Sequence, residues 1–490
     1  MSSPQSPPPK GPQAAFRGDL TQGPIAKTLL LFSIPALLTN VLQSLSGTIN
    51  SIWVGRLIGE EALAATANAN IVMFLVASMA FGFGMAGTVL IGQRWGARDV
   101  DGARRGFGTA AGFSAILMAG IALLGFLLAP QLLRLLATPE GAFPLALVYL
   151  RLIFVSMPFM MVSVVLSMGL RGTGDAKTPL IFMLVTVLID LVLNPMLIAG
   201  IGPFPRMGIA GSATATIIAA FVSFCAMVAY VYWRDLPLRL RGAELRYLLP
   251  ARSELRFVVT KGLPMGAQLL VMSAAGLIMV GLVNREGLLT AAAYGATLQL
   301  FNYIQMPAMA IGAAVSAMAA QYIGAGKWDE LNKVTGSGLV MNLVLTGTVT
   351  VLLLLFDRPV IVLFLGPDSA AVPIAQHIQL LASWSFVLFG VTMVYTATMR
   401  SAGAVWIPLV VVTIALFPVR LGFYELAYPY LGADAIWISY PVGAVAGLIS
   451  GWLFYYRWNW RRAGPALDSA LAEEGAHTDG LPTGRMTADL

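Results

Sequence analysis

The stretch IVMFLVASMAFGFGMAGTVLIGQ, residues 71–93, contains 23 residues and no charge. About 20 apolar residues are enough to cross the hydrocarbon core of a bilayer as an α-helix. The whole chain follows this pattern, since 58% of its 490 residues are hydrophobic and only 11% are charged. Ordinary soluble domains have about 25% charged residues. The sequence therefore predicts an all-α integral membrane protein.

Apolar runs of similar length recur along the chain, with polar residues, glycine or proline between them. We predict twelve transmembrane helices over residues 25–53, 63–91, 107–136, 145–170, 178–199, 208–233, 255–283, 288–322, 334–365, 374–399, 405–424 and 435–456. An even number of spans leaves both termini on the same side of the membrane.

The distribution of basic residues predicts which side that is. With both termini in the cytosol, 23 of the 30 Lys and Arg residues fall on the cytosolic side, as the positive-inside rule requires. Residues 1–24 and 457–490 are then cytosolic tails, and polar composition predicts disorder over residues 1–24 and 463–490. Residues 234–254 form a basic cytosolic linker, which we interpret as an anchor on lipid headgroups.

Residues 93–97 have a counterpart later in the chain, which indicates an internal repeat. At an offset of about 228 residues, QRWGA (93–97) aligns with QYIGA (321–325), Pro35 with Pro264, and Arg171 with Arg400. We therefore predict two parallel six-helix halves, 25–233 and 255–456, around a central cleft. Such repeats are typical of secondary transporters, which expose a central site alternately to either side. Helix hinges are expected at Pro35, Pro195 and Pro264.

Several function classes lack the residues they would need. The chain has one cysteine, Cys225, and two histidines, His377 and His477, which are too few and too scattered for a metal site or a nucleophile. Glycine-rich FGFGMAG (81–87) lacks the Lys-Ser/Thr of a phosphate-binding loop. We expect no enzyme, no cofactor, no metal beyond a sodium ion, no ATP and no nucleic acid. Membrane lipids are expected partners of a monomer.

Asp190 is the deepest acid in the predicted helices. An ionised Asp at the bilayer centre costs about 2.5–3.5 kcal/mol on insertion scales, so such an acid usually has a function or a partner. Asn194 lies one turn later on the same face, and Pro195 cannot donate to the carbonyl of Leu191. With Asn50 of the first helix, these groups predict a proton or cation site. The alternative is a protonated Asp190 that only hydrogen-bonds a neighbouring helix.

The repeat equivalents of Asp190, Asn194 and Asn50 are Val419, Phe423 and Met279, so the predicted site belongs to the N-terminal half alone. Arg420 and Glu425 are expected to form a structural ion pair. Further polar residues on apolar helices are candidates for the substrate cleft: Gln43, Asn68, Asn70, Gln268, Gln299 and Asn302.

Several motifs resemble the multidrug and toxic compound extrusion (MATE) family over residues 23–460. They are the Pro35 helix followed by NSIWVGRLIGEEALAA, then IGQRWGA, LRGTGDAKTPL with DLVLNPMLI, and the echoes AAQYIGA and MRSAG. The resemblance implies a two-lobed antiporter in the bacterial inner membrane. Such proteins export small organic, often cationic, compounds in exchange for protons or sodium.

The chain departs from the family pattern at the acids. Members commonly have Asp at the position of Asn50, and many have Asn at 190 with the acid at 194. Some members also have acidic residues in the C-terminal half. This chain has none in the matching stretches around Met272 and Phe389. We expect proton-coupled export of organic cations through Asp190, with sodium as the alternative ion. The alternative hypotheses are a flippase for a lipid-linked or amphipathic metabolite, and a channel or scaffold.

Overall fold

The computed structural model describes residues 18–463, except residues 137 and 203. The side chains of residues 60, 63, 64, 67, 68, 71, 462 and 463 also lie outside the described set. In this part of the chain, eleven helices are long and apolar enough to cross a membrane, and one bent pair makes a twelfth span. The predicted number of spans is confirmed.

The first six spans are α1 Ile25–Leu57, α2 Glu60–Gly96, α3 Val100–Leu135, α4 Phe143–Gly172, α5 Lys177–Ala199 and α6 Ile209–Trp233. A short 3₁₀ helix, Gly242–Leu248, follows in the connection between the halves. The last six are α7 Arg252–Arg285, α8 Leu288–Gly324, α9 Leu331–Leu355, α10 Val372–Ala382 with Ser385–Ser401, α11 Trp406–Leu431 and α12 Asp434–Arg457.

Three spans of the C-terminal half differ from the prediction. The expected helix 334–365 ends at Leu355, and a separate short helix, Asp357–Leu365, follows. Pro359 lies near the start of that short helix, a position that suits proline because the first turn has no hydrogen bonds to lose. The span predicted at 374–399 is bent by 40°. Span α11 contains a π-helical turn, Ala415–Val419, which includes Pro418.

Large apolar side chains cover the outer surface of the bundle. On α3, Ile116, Leu123, Leu124 and Leu127 each expose about 60% of their surface. A soluble protein rarely exposes apolar patches of this extent, whereas lipid tails solvate them without cost. The exposed faces are therefore the faces toward lipid.

The two halves repeat the same packing pattern. In the N-terminal half α2 packs against α3 and α4, α1 against α5, and α5 against α6. In the C-terminal half α8 packs against α9 and α10, α7 against α11, and α11 against α12. Each contact therefore has its counterpart six helices later, which agrees with the parallel repeat expected from the sequence.

The halves meet along α2 and α7, where glycines bring two backbones together. A Cβ atom added at Gly82 would lie 2.3 Å from the Gly266 nitrogen and 2.5 Å from the Gly262 oxygen. No residue with a side chain fits that space, since real Cβ atoms do not approach other atoms so closely. The small residues of the FGFGMAG stretch thus serve helix packing.

A second contact between the halves, here called the glutamine end, joins the ends of α2 and α8. Gln93 Nε2 donates to the Ser401 carbonyl at 2.6 Å, and Gln321 Nε2 donates to the Gly172 carbonyl at 2.9 Å. Each glutamine thus reaches the end of the fourth helix in the opposite half. Gly96 is also in close contact with the Gln321 backbone. The repeated QxxGA motif therefore closes this end of the molecule.

The ordered chain extends further than the composition predicts. Residues 18–24, expected within a disordered tail, are described, and Leu20 is buried with its N–H donating to Gln321 Oε1 at 2.8 Å. Trp460, beyond α12, is also buried, and its Nε1 donates to the Tyr455 carbonyl. The buried apolar side chain of Leu20 accounts for the order of residues 18–24, whereas Trp460 precedes the segment that the composition predicts to be disordered. Residues 1–17 and 464–490 lie outside the described part.

We expect Gly82→Ala to lower the free energy of unfolding by about 1–3 kcal/mol, because the new methyl group overpacks the contact with α7. Gly281→Ala is the matched control, since nothing lies within 4 Å of a Cβ at that position of α7. Thermal unfolding in one detergent measures both. Equal melting temperatures for the two variants would contradict the close approach of α2 and α7.

Candidate functional site

Asp190 and Asn194 lie on one face of α5, one turn apart, and both are buried at 4% and 0% exposure. The helix continues through Pro195 to Ala199. Proline at position 195 removes the hydrogen bond to the carbonyl of residue 191, so the backbone next to Asp190 has one acceptor without its helical donor. The carboxyl and the amide therefore point together into the N-terminal half.

Asn50 of α1 meets this face, as the sequence predicts. Its Oδ1 accepts two hydrogen bonds, from Asn194 Nδ2 at 2.7 Å and from Ser212 Oγ at 2.8 Å. Ser212 belongs to α6 and is fully buried. One amide oxygen thus ties α1, α5 and α6 together in the interior of the half.

Asp190 has its own partner on α6. Thr216 Oγ1 donates to Asp190 Oδ1 at 3.0 Å. Tyr149 of α4 is buried on the other side and hydrogen-bonds Asn50. We call these residues the polar cluster: Asn50, Tyr149, Asp190, Asn194, Ser212 and Thr216.

The polar cluster has an unused acceptor at its centre. Asn194 Oδ1 is buried and has no hydrogen-bond partner among the described residues. An unpaired buried carbonyl costs about 1–3 kcal/mol, so it is usually satisfied in some state of the protein. A proton carried by Asp190, or a small cation held by the Asp190 and Asn194 oxygens, would satisfy it. In the described residues no three His, Cys, Asp or Glu side chains come together as a metal site.

Sequence reasoning missed three members of the polar cluster. Ser212 and Thr216 are one turn apart in GSATAT, so their spacing places both hydroxyls on one face of α6. That spacing was the available signal. Tyr149 carries no such signal, since an aromatic residue in an apolar helix packs in the core in most cases.

A cavity of about 560 Å³ lies in the C-terminal half, with one wall from α2. Its volume is in the range of small-molecule sites. Asn70 and Asn302, two of the predicted cleft residues, line it. Gln268 is buried elsewhere, and Gln43 and Gln299 are not among the lining residues. The side chain of Asn68 lies outside the described residues.

The expected ion pair of Arg420 with Glu425 is wrong. Arg420 is 8% exposed and lines the cavity, whereas Glu425 is exposed on α11. The guanidinium carbon of Arg420 lies 3.4 Å from the centroid of the Tyr440 ring instead. Residues 420 and 425 are five positions apart, and one helical turn is 3.6 residues, so the two side chains leave the helix in different directions.

Comparison with known proteins places this arrangement in a family. The sequence model of the family MatE matches the chain twice, over residues 35–196 and 264–424. The chain belongs to the MATE family of transporters. Its members are transporters and not enzymes, in agreement with the expectation from the sequence.

Individual MATE relatives cover nearly the whole chain. The probable multidrug resistance protein YoeA of Bacillus subtilis is 33% identical over 438 residues, which are 89% of this chain and 94% of that protein. A protein of Shewanella oneidensis named FAD transporter is 24% identical and covers 90% of this chain and 96% of its own length.

A solved structure has the same fold. It is described as the outward-facing conformation of a multidrug resistance MATE family transporter of the MOP superfamily. It matches with a TM-score of 0.83 and 23% identity, and covers 92% of this chain and 99% of its own. The twelve-helix MATE architecture is thereby confirmed. The two family matches begin at Pro35 and Pro264, one in each half of the chain.

The expected hinge residues Pro35, Pro195 and Pro264 all lie inside continuous helices, α1, α5 and α7. Each leaves one backbone carbonyl of its own helix without a helical donor. Their role as hinges stays a prediction.

We expect Asn50→Leu to lower the free energy of unfolding by about 2–4 kcal/mol, because the buried donors of Asn194 and Ser212 both lose their acceptor. The control is Gln43→Leu, an exposed residue two turns earlier on α1. Thermal unfolding in detergent or nanodiscs compares the two variants. A melting temperature for Asn50→Leu equal to that of Gln43→Leu would show that the polar cluster does not join the helices.

Proposed function

We propose that this MATE transporter exports small organic compounds in exchange for protons, with Asp190 as the group that carries the proton. The observation behind the proposal is the polar cluster, in which a buried carboxyl group lies beside a buried carbonyl that has no partner. A transporter coupled to an ion gradient needs a group that binds the ion within the membrane, and Asp190 has the position and chemistry for it.

The position of Asp190 separates it from the other buried acid. Among the described residues, Asp190 and Glu254 are the acids with less than 9% exposure. Glu254 lies in the first turn of α7, where a helix N-terminus favours a carboxylate. Asp190 lies in the middle of α5 and has no basic partner within ion-pair distance in the described structure. Its charge is therefore uncompensated, and a proton removes it.

Protonation changes the hydrogen bonding of the polar cluster. An ionised carboxylate only accepts, and it accepts from Thr216 Oγ1. The Asn194 amide is a second donor to the ionised carboxylate. A neutral carboxyl also has one O–H donor, and Asn194 Oδ1, on the same helix face, is an acceptor without a partner among the described residues. A proton on Asp190 would thereby supply a donor for Asn194 Oδ1 within α5, and it would remove the negative charge that accepts from Thr216 of α6.

The glutamine end provides the element that must open. Its carbonyl contacts join α2 to α10 and α8 to α4 across the two halves. The distribution of basic residues predicts that this end faces the cytosol, so the described conformation is closed on that side. Alternating access then requires the contacts of Gln93 and Gln321 to break.

Sodium is the alternative coupling ion, held by oxygens of Asp190, Asn194 and Thr216. Asp190 would be its single charged ligand, so sodium is the less favoured coupling ion. A flippase for an amphipathic metabolite remains the alternative function within the same fold. One relative, from Shewanella oneidensis, is named FAD transporter, and FAD is an anion. Membership in the family therefore does not fix the charge of the substrate. The organic cations expected from the sequence stay a prediction.

The location, the oligomeric state and the energy source of the protein are further parts of the proposal. Bacterial relatives support a bacterial inner membrane as the location, and both termini are proposed to lie in the cytosol. We propose that the protein acts as a monomer in contact with lipids. Neither ATP nor a cofactor has a role in this mechanism, since the ion gradient supplies the energy.

Gradient-driven transport in liposomes tests the proposal. With the purified protein reconstituted, we expect an imposed pH gradient to drive accumulation of a transported fluorescent compound, and an equal sodium gradient to leave it unchanged. Asp190→Asn removes the ionisable group and keeps the shape, so it is expected to lower the gradient-driven rate by at least tenfold.

The matched control is Glu425→Gln, which removes an exposed carboxyl from α11 and is expected to keep the parental rate. Full activity of Asp190→Asn under a pH gradient would rule out proton transfer by Asp190. Accumulation driven by sodium alone would replace the proton by sodium at the same polar cluster.

A further inference from the structure

The C-terminal cavity has one charged lining residue. Its walls come from α2, α7, α8, α10, α11 and α12, and Arg420 is the single charged side chain among the lining residues. No lining residue is an acid. The cavity therefore has a net positive charge in an apolar wall, where an isolated charge is costly unless a counter-charge reaches it.

The fold holds Arg420 in place at this wall. The π-helical turn Ala415–Val419 ends directly before Arg420 and places Ala415, Leu416 and Arg420 on the cavity. A single π turn inside an α-helix inserts one residue and is frequent at functional sites. Gly443 of α12 makes room for the side chain, since a Cβ there would lie 3.2 Å from Arg420 Cβ.

The π turn also changes which residue corresponds to Asp190. An offset of 229 aligns Pro35 with Pro264, Pro179 with Pro408 and Asp190 with Val419. If the π turn counts as one inserted residue, the counterpart of Asp190 becomes Arg420. The N-terminal half then has a carboxylate where the C-terminal half has a guanidinium.

The Arg420 guanidinium is not satisfied by the protein. Its Nε and Nη2 are buried and have no hydrogen-bond partner among the described residues. The contact with the Tyr440 ring covers one face of the guanidinium and leaves the N–H groups at its edge. A planar guanidinium with free edge donors matches a carboxylate, sulfonate or phosphate group, which accepts two parallel hydrogen bonds.

Aromatic rings surround this donor. Phe301 and Phe386 lie 4.7 Å apart by ring centroid, and Phe301 lies 5.7 Å from Tyr440. All three line the cavity together with Tyr294 and Phe74. The amides of Asn302 and Gln305 supply further polar groups on α8. Offset stacking on such rings favours a planar apolar body next to the charged group.

We propose that the C-terminal cavity binds an amphipathic organic anion, with its anionic group on Arg420 and its aromatic or apolar body against Phe301, Phe386 and Tyr440. The role of this anion as exported substrate rests on the proposed function. The binding site itself does not, since it follows from the geometry of the cavity. An anionic ligand differs from the organic cation that the sequence predicts as substrate, and the binding experiment below compares the two charges directly.

Equilibrium binding of matched probes tests the proposal. We would titrate the protein in phosphatidylcholine nanodiscs with pyrene-1-sulfonate and with pyrenylmethylammonium, and follow fluorescence anisotropy. The sulfonate is expected to bind at least tenfold more tightly than the ammonium probe. Arg420→Gln is expected to weaken sulfonate binding at least tenfold, and Arg420→Lys to weaken it less because the charge remains.

Arg358→Gln is the matched control, because Arg358 is an exposed arginine of the same half, and it should leave the Kd unchanged. Thermal unfolding of each variant separates loss of binding from loss of folding. Nanodiscs with added phosphatidylglycerol distinguish the source of the anion. Competition by this lipid in the parent, and none in Arg420→Gln, assigns the site to a lipid headgroup; absence of competition assigns it to a soluble anion.

Tighter binding of the ammonium probe, or unchanged sulfonate binding in folded Arg420→Gln, would overturn the proposal. Equilibrium binding of the sulfonate needs no ion gradient, so the binding and transport experiments can fail separately. Failure of gradient-driven transport with intact Arg420-dependent binding would therefore refute proton coupling and leave the anion site. Loss of sulfonate binding with intact proton-driven transport would refute the anion site and leave proton coupling.

Discussion

Polar groups inside a membrane protein must find their partners in the protein, because the hydrocarbon around it offers none. The structure of this chain depends on that constraint. Its backbone is satisfied by long helices. Asn50 of α1 accepts from Asn194 of α5 and Ser212 of α6, and Asp190 of α5 accepts from Thr216 of α6. Against this background an unsatisfied buried group carries information. Asn194 Oδ1 and the Arg420 Nε and Nη2 atoms are among these groups, and in the proposals above each receives an ion or a ligand from outside the protein.

Duplication of a six-helix unit explains how two different sites fit one scaffold. The two halves are held together by glycines along α2 and α7 and by the paired QxxGA motifs. The interior of each half is then free to differ. The N-terminal half has an acid surrounded by amides and hydroxyls, whereas the C-terminal half has an arginine surrounded by aromatic rings. Ion and substrate can therefore bind in separate halves and interact through the movement of the halves.

The sequence predicts the scaffold well because hydrophobic length and the offset of the repeat are properties of the chain itself. It also predicts that Asp190, Asn194 and Asn50 meet, since helical spacing places the first two on one face. It does not predict the partner of Arg420, because two charges five positions apart are close in sequence and diverge on a helix. The π turn that precedes Arg420 contains Pro418, which signals an irregular helix but not the kind of irregularity. Apolar composition gives no signal for the bend of α10. The order of Leu20 depends on a distant acceptor, Gln321.

In the proposed mechanism, the protonation state of Asp190 controls whether the glutamine end is closed. Spin labels at Lys177 and Trp406, exposed residues at equivalent positions of the two halves beside this end, report its opening after Cys225 is replaced by serine. We would measure the distance between the labels by double electron–electron resonance in nanodiscs from pH 5 to pH 9. The account predicts a population with a longer distance that grows as the pH falls, and a distance distribution independent of pH in Asp190→Asn. An unchanged pH response in Asp190→Asn would contradict it.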